Sequence, residues 1–250
     1  MIIEYHRPST VEAALKLLRR KQPETRPLGG GTQLSAPSSA AVAAVDLQKL
    51  KLNKIALRGK TLNIGATATL QALLETEGIP PALAAAIRHE ASYNLRQAAT
   101  VAGSLVGADG RSPFAAAMLA LDAQLTLQPK DEVLGYGELL ALRREKLRGK
   151  LITKITIGLQ AKLTYEYVAR TPADLPIICI ALATWPSGRT RLALGGFGAA
   201  PTLVLDGRDS TGLAEAMENA LGGADDPWAS AEYRIEAGKS LLVRAQAELE

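Results

Sequence analysis

The sequence predicts an α+β protein in two units, and three observations carry that expectation. With 250 residues, 47% apolar and 22% charged, the chain is long enough for one large core or two modest ones and too apolar to stay disordered. Its opening reads as strand, helix, strand. From Lys162 onward it turns to long strands, broken by a tight turn at Pro186–Gly188, as an antiparallel sheet requires. A boundary between the units is expected near residues 155–160.

The elements follow in order. Ile2–Tyr5 is a short apolar strand, Ser9 and Glu12 have capping-box spacing, and Val11, Ala14, Leu15, Leu17 and Leu18 share one face of a helix expected to end near Lys21. Arg26–Leu28 leads into a glycine cluster, and Ala41–Asp46 has the run of small apolar residues of a buried strand. IALRGKTLNIG alternates on both sides of a turn at Arg58–Lys60, the mark of a hairpin. Helices are expected at Leu70–Glu75 and Ala82–Ala91, the second opened by Pro80–Pro81, since proline is tolerated in a first helical turn. A glycine-bearing loop at Thr100–Gly110 precedes an Ala-rich helix at Phe114–Leu121. Ala123–Gln128 and Leu151–Ile157 read as strands flanking a basic turn. LTYEYVAR, LPIICIALATW and TRLALGGFG are the long strands, and Gly212–Leu221 and Ala229–Leu249 read as closing helices.

Composition excludes several classes of function. The single cysteine, Cys179, allows no internal disulfide and no multi-thiolate centre, and two histidines, His6 and His89, make a self-contained zinc site improbable. No stretch approaches the ~18 uninterrupted apolar residues of a membrane span. MIIEYHRPS lacks a basic segment followed by an apolar one, so a cytoplasmic protein is expected. Net charge is +4, and the longest basic cluster, RREKLRGK at Arg143–Lys150, reads as a solvated turn or a partner-facing surface. With only 4% aromatic residues the chain has few stacking platforms for bases, and no nucleic-acid partner is expected.

Chemistry points to two segments. Leu28, Gly29, Gly30, Gly31, Thr32, Gln33 and Leu34 place three consecutive glycines after a strand, where the backbone can turn several N–H groups toward one anion such as a pyrophosphate. This is neither the dinucleotide fingerprint G-x-G-x-x-G nor a P-loop, and a purely structural turn explains it equally well. The second segment runs from Arg96 through Thr100, Val101, Ala102, Gly103 and Ser104 to Leu105, where Thr100 and Ser104 add hydroxyl donors. The two could clamp opposite sides of one elongated dinucleotide. Elsewhere, Cys179 reads as a buried structural thiol, and His6 and His89 as surface residues.

A family resemblance joins these features. YHRPSTVEAALKLL, PLGGGTQL, LRQAATVAGSL, PFAAAMLALDAQL, YVARTPADLP, ALGGFGAAPT and SAEYRIEAGKSLLVRAQAEL occur in the order seen in the FAD-binding medium subunit of molybdenum hydroxylases, the xanthine dehydrogenase and carbon monoxide dehydrogenase flavoprotein family, which the chain resembles along nearly its whole length. The resemblance implies an FAD-binding domain of the vanillyl-alcohol oxidase (PCMH) type at residues 1–156, with subdomains of about 1–54 and 55–156. A small domain of antiparallel sheet plus helices, at 157–250, follows it. It implies FAD as cofactor, no metal, and as partners a molybdopterin-binding large subunit and a small subunit with 2Fe–2S clusters. The family's A-G-G-T-D-L loop falls on Gly29–Leu34 and its R-N-x-A-T-I-G-G-N-L on Arg96–Leu105. Several departures from the family pattern matter. Pro113 stands where the family has an aspartate bonding the ribose, for which Asp109 or Ser112 would substitute; Tyr167 stands at a frequent lysine position; Ala102 replaces a glycine and Ser104 an asparagine. Arg170 and Asp174 fit a structural ion pair or a flavin-edge role. Two alternatives remain open at this level: a module that has lost FAD, and a stand-alone flavin oxidase.

Overall fold

The computed structural model describes residues 1–249. The chain begins with β1 (Ile2–His6), α1 (Val11–Leu18), β2 (Thr25–Leu28), β3 (Val42–Asp46), β4 (Ile55–Arg58) and β5 (Thr61–Gly65). Five helices follow: α2 (Leu70–Leu74), α3 (Pro81–Glu90), α4 (Tyr93–Ala98), α5 (Val101–Gly107) and α6 (Pro113–Ala120). Next come β6 (Gln124–Gln128), β7 (Glu132–Gly135), α7 (Tyr136–Ala141), α8 (Arg143–Lys146) and β8 (Leu151–Gly158). The chain continues through β9 (Lys162–Val168), β10 (Ile178–Thr184), β11 (Thr190–Gly195) and β12 (Thr202–Gly207) to α9 (Leu213–Leu221) and α10 (Ala231–Ala247). Two compact units result, one from Met1–Thr76, Tyr93–Gly107 and Gln124–Thr156, the other from Glu77–Ser92, Ala108–Ala123 and the chain from Ile157 onward.

The first unit holds two sheets. One has strand order β1-β3-β2 with both pairings parallel. Its central strand, Val-Ala-Ala-Val-Asp, is buried at every position, and small apolar residues suit a strand covered on both faces. Helix α1 packs Ala14 and Leu15 against Val45, Leu47 and Leu151. Its cap is Thr10 instead of the expected Ser9, with the Thr10 hydroxyl accepting the Ala13 N–H at 3.2 Å. The helix stops at Leu18, short of Lys21, because the polar Arg-Arg-Lys-Gln-Pro that follows has nothing to bury. The other sheet has order β4-β5-β8-β6-β7. Its β4–β5 hairpin forms as expected, with Gly59 at φ 60° in the turn.

The second unit is built on the antiparallel sheet β12-β11-β10-β9. Ile178, Ile180, Leu182, Leu192 and Leu194 share one core with Met217 and Leu221 of α9 and Leu241 and Leu242 of α10. Cys179 is fully buried, and burial pushes its thiol up to about 12. Arg234 is fully buried as well, its guanidinium donating to the carbonyls of Ile177 (3.0 Å), Ala229 (2.8 Å) and Ala224 and to the Asp226 carboxylate (2.8 Å). That set of acceptors is what allows a buried cation. Among the described residues no helix is long and apolar enough to cross a membrane.

Glu90, at the end of α3, accepts hydrogen bonds from the Ser112 hydroxyl (2.7 Å) and the Phe114 N–H (3.1 Å) at the start of α6. Desolvation nonetheless dominates and raises its carboxyl from 4.5 to about 7, with the nearby Asp109 charge adding to the rise. Between those values the folded chain keeps a proton that the unfolded chain has released, so rising pH favours unfolding. This stability is fully present below about 4.5 and lost as pH rises through 7; its size is on the order of 3 kcal/mol. Melting temperature is therefore expected to fall between pH 5 and pH 8, and Glu90→Gln is expected to flatten that fall. Parallel melting curves across this range, identical in slope for both proteins, would refute the assignment.

Candidate functional site

The first unit contains a cleft of about 790 Å³, within the ~300–1,000 Å³ usual for small-molecule sites. Its walls come from the triple-glycine turn after β2, the segment around Thr100 that starts α5, and the basic turn of α8. Leu28, Gly29, Gly30, Gly31, Thr32, Gln33, Leu34, Thr100, Ala102 and Gly103 all line it. Val101 and Ser104 do not: Val101 is fully buried, and the Ser104 N–H is turned to the Thr100 carbonyl (2.8 Å). Asp109 and Tyr167 belong to the second unit. There the Asp109 carboxylate accepts the Arg111 N–H at 2.8 Å, and the Tyr167 ring lies 4.1 Å from that of His89 and 5.5 Å from that of Tyr165. Tyr165 and the Asp174 carbonyl bond the two ring nitrogens of His89 at 2.8 and 2.6 Å, so this histidine is a packing residue whose burial lowers its pKa.

The glycines act in two different ways. Gly31 has φ 77°, whereas Gly30 is absent from the left-handed region. At Gly30 the constraint is space, because a Cβ there would overlap the backbone carbonyl of Ala98. The two segments thus meet backbone to backbone. Around them, a Cβ at Gly29 or at Gly103 would sit 2.7 Å from the Thr100 hydroxyl oxygen.

The segment expected as a second loop is largely helix, α5, and its donors are already engaged. The Val101 N–H goes to the Ala68 carbonyl (2.8 Å), the Ala102 N–H to Ala66 (3.2 Å), and the Gly103 N–H to the Thr100 hydroxyl (3.2 Å). With two glycines in Val-Ala-Gly-Ser-Leu-Val-Gly, α5 is a poor helix former held by burial of Val101 and Leu105. That tertiary term is why it is hidden in sequence. By contrast, the N–H groups of Gly30, Gly31 and Thr32 have no protein acceptor among the described residues, and neither has the Thr100 hydroxyl proton. Free donors converging on a cleft wall suit a phosphate, and an FAD pyrophosphate fits this donor set.

The basic run, expected as a solvated turn or a partner-facing surface, lines the cleft. Arg143, Arg144, Arg148 and Lys150 all line it, joined by Arg26, against a single acidic side chain among the described residues, Glu24. The signal in the sequence was Arg144 and Arg148 at i, i+4, but without the fold nothing connects them to the glycines.

Two substitutions separate the roles of the glycines. A Cβ at Gly31 meets only Leu28 and Ser35 at 3.4 and 3.6 Å, so Gly31→Ala strains the backbone without a clash. It is expected to keep the fold with the free turn relaxed out of the left-handed conformation, so that restoring it on binding costs ~1–2 kcal/mol, which flavin titration reads as about a tenfold weaker FAD affinity. Gly30→Ala is expected to lower both the flavin affinity and the melting temperature of the apo protein. Equal behaviour of the two variants in both assays would contradict this division.

A family model described as the FAD binding domain in molybdopterin dehydrogenase matches residues 1–158. Over 240 residues the chain is 29% identical to a protein called YgfM from Escherichia coli (strain K12), covering 94% of this chain and 91% of that one. It is 24% identical over 279 residues to the glyceraldehyde dehydrogenase medium chain of Sulfolobus acidocaldarius, across 98% of this chain and 97% of that one. A chain of the reconstituted CO dehydrogenase from Oligotropha carboxidovorans shares the fold, with TM-score 0.80 at 24% identity over 98% of this chain and 96% of that one. Since the model match takes in more than half of the sequence and the entire cleft, this protein belongs to the family of FAD-binding domains of molybdopterin dehydrogenases, as an oxidoreductase subunit with FAD as its cofactor.

Proposed function

We propose that this chain is the electron-transferring flavin subunit of a cytoplasmic molybdenum hydroxylase complex. In this reading it receives electrons from the 2Fe–2S clusters of a small subunit, while a large subunit carries molybdopterin and chooses the substrate. The observation that carries it is the donor-lined cleft in a chain whose resemblance to medium subunits runs from end to end. A single buried cysteine supports it, since this chain's thiols cannot build the clusters that such a complex needs. Residues 1–156 are proposed as the FAD-binding domain and 157–250 as the C-terminal domain, with Leu28–Leu34, Thr100, Ala102 and Gly103 as the site.

When bound, the flavin supplies one- and two-electron redox chemistry. The chain's own contribution is to hold and orient. The Gly30, Gly31 and Thr32 N–H groups would hold the phosphates from a turn already closed by the Ser35 N–H on the Gly31 carbonyl at 2.9 Å. Thr100, only 7% exposed, keeps a hydroxyl proton free for the same anion.

The test is a mixing experiment with the flavin-loaded protein and the dithionite-reduced two-cluster 2Fe–2S small subunit that this reading requires. The visible flavin band is expected to bleach on mixing and to return when an external acceptor is added. Bleaching by an organic substrate alone, with no partner present, would instead make the protein a stand-alone oxidase. A chain that takes up no flavin would be a non-catalytic module.

A further inference from the structure

We propose that Arg144 and Arg148 form a two-guanidinium clamp for the pyrophosphate of a dinucleotide, so that this subunit selects FAD over FMN and riboflavin by charge as well as by shape. The inference rests on the flavin reading of the cleft and names residues that this reading does not require.

The argument is an account of the cleft's cations. Arg26 is paired with Glu24 at 2.7 Å, Lys150 is paired with Glu132, and Arg143 donates to the Val106 carbonyl at 2.9 Å. Arg144 and Arg148 line the same cleft with no acceptor for either guanidinium among the described residues. The turn between them is ordered: the Leu147 N–H bonds the Arg143 carbonyl at 3.1 Å, and the Arg148 N–H bonds Glu145 at 3.3 Å. Arg144 lies in α8 and Arg148 in the turn that follows it, both exposed and four residues apart, so two like charges stand close together with no acidic partner for either among the described residues. Arg143, bonded to α5, anchors that turn to the segment that carries Thr100. A pair of uncompensated arginines on a wall of the cleft that also presents free N–H groups has an anion of at least two charges as its natural complement. The planar fork of arginine matches phosphate oxygens two at a time. Riboflavin offers no such group and FMN offers one phosphate, whereas FAD offers two linked ones.

Flavin fluorescence titrations of the full chain with FAD, FMN and riboflavin, at low and high salt, test the clamp. For the Arg144→Gln/Arg148→Gln double variant, FAD affinity is expected to fall at least tenfold with a shallower salt dependence, riboflavin affinity to stay unchanged, and apo melting to match wild type. Arg144→Lys/Arg148→Lys, which keeps the charge and loses the fork, is expected to fall between the two. Calorimetry with inorganic pyrophosphate separates this inference from the flavin reading. Arginine-dependent pyrophosphate binding by a wild-type chain that takes up no FAD would uphold the clamp and sink the flavin function. Wild-type FAD affinity in the double variant would sink the clamp and leave the flavin function standing. So would an unchanged affinity accompanied by loss of small-subunit binding, which would reassign the arginines to a partner surface.

Discussion

Everything in the cleft depends on one close approach, that of the Gly30 backbone to the Ala98 carbonyl. Side chains normally keep two such segments apart, and here the missing Cβ lets a strand-to-turn segment and a helix-to-helix segment share a surface. Thr69 and Thr100 form an isolated bridge next to this contact, and the Leu70 N–H bonds the Ala99 carbonyl at 2.9 Å. The second segment is thereby tied to the start of α2 as well. A ligand entering the cleft meets walls already positioned by backbone bonds, so less ordering free energy has to be supplied on binding.

The two walls do different electrostatic work. The glycine turn offers neutral dipoles fixed in direction, which distinguish an anion by position. The α8 wall offers full charges on flexible stems, which attract an anion from a distance and are screened by salt. Gln33, lying over the Gly107 backbone, brings an amide and no competing carboxylate beside the turn. Among the described residues a single acid, Glu24, lines the cleft, and it is occupied by Arg26.

Much of this was legible in the sequence, and what was hidden was hidden for physical reasons. The hairpin at Arg58–Lys60, the proline-opened α3 and the long antiparallel strands announced themselves through turn chemistry and alternation, which are local signals. The triple glycine pointed to the cleft, but sequence could not distinguish Gly31, which needs a left-handed dihedral, from Gly30, which needs an empty space. Helices α4, α5, α7 and α8 and strand β7 went unread because they are short or weak formers stabilised by what they pack against; Tyr136 of α7, for example, reaches the Leu105 carbonyl at 3.0 Å, whereas β12 is an ordinary six-residue strand that was simply passed over. The basic run was visible as charge and invisible as a cleft wall, since its neighbours there come from distant parts of the chain.

The seclusion of Cys179 has a consequence outside folding. Its sulfur lies in the core of the β10–β11 pairing, so close that a Cβ on Gly195 would be 2.9 Å away, and at ordinary pH it carries essentially no thiolate. A reduced flavin that meets dioxygen generates peroxide, whose protein target is the exposed thiolate. This polypeptide presents none of its own. For the same reason it is a ready-made background for labelling: a cysteine introduced anywhere on its surface would be the one thiol able to react with a spin label or fluorophore in the native state, so distances could be read without first removing a natural residue.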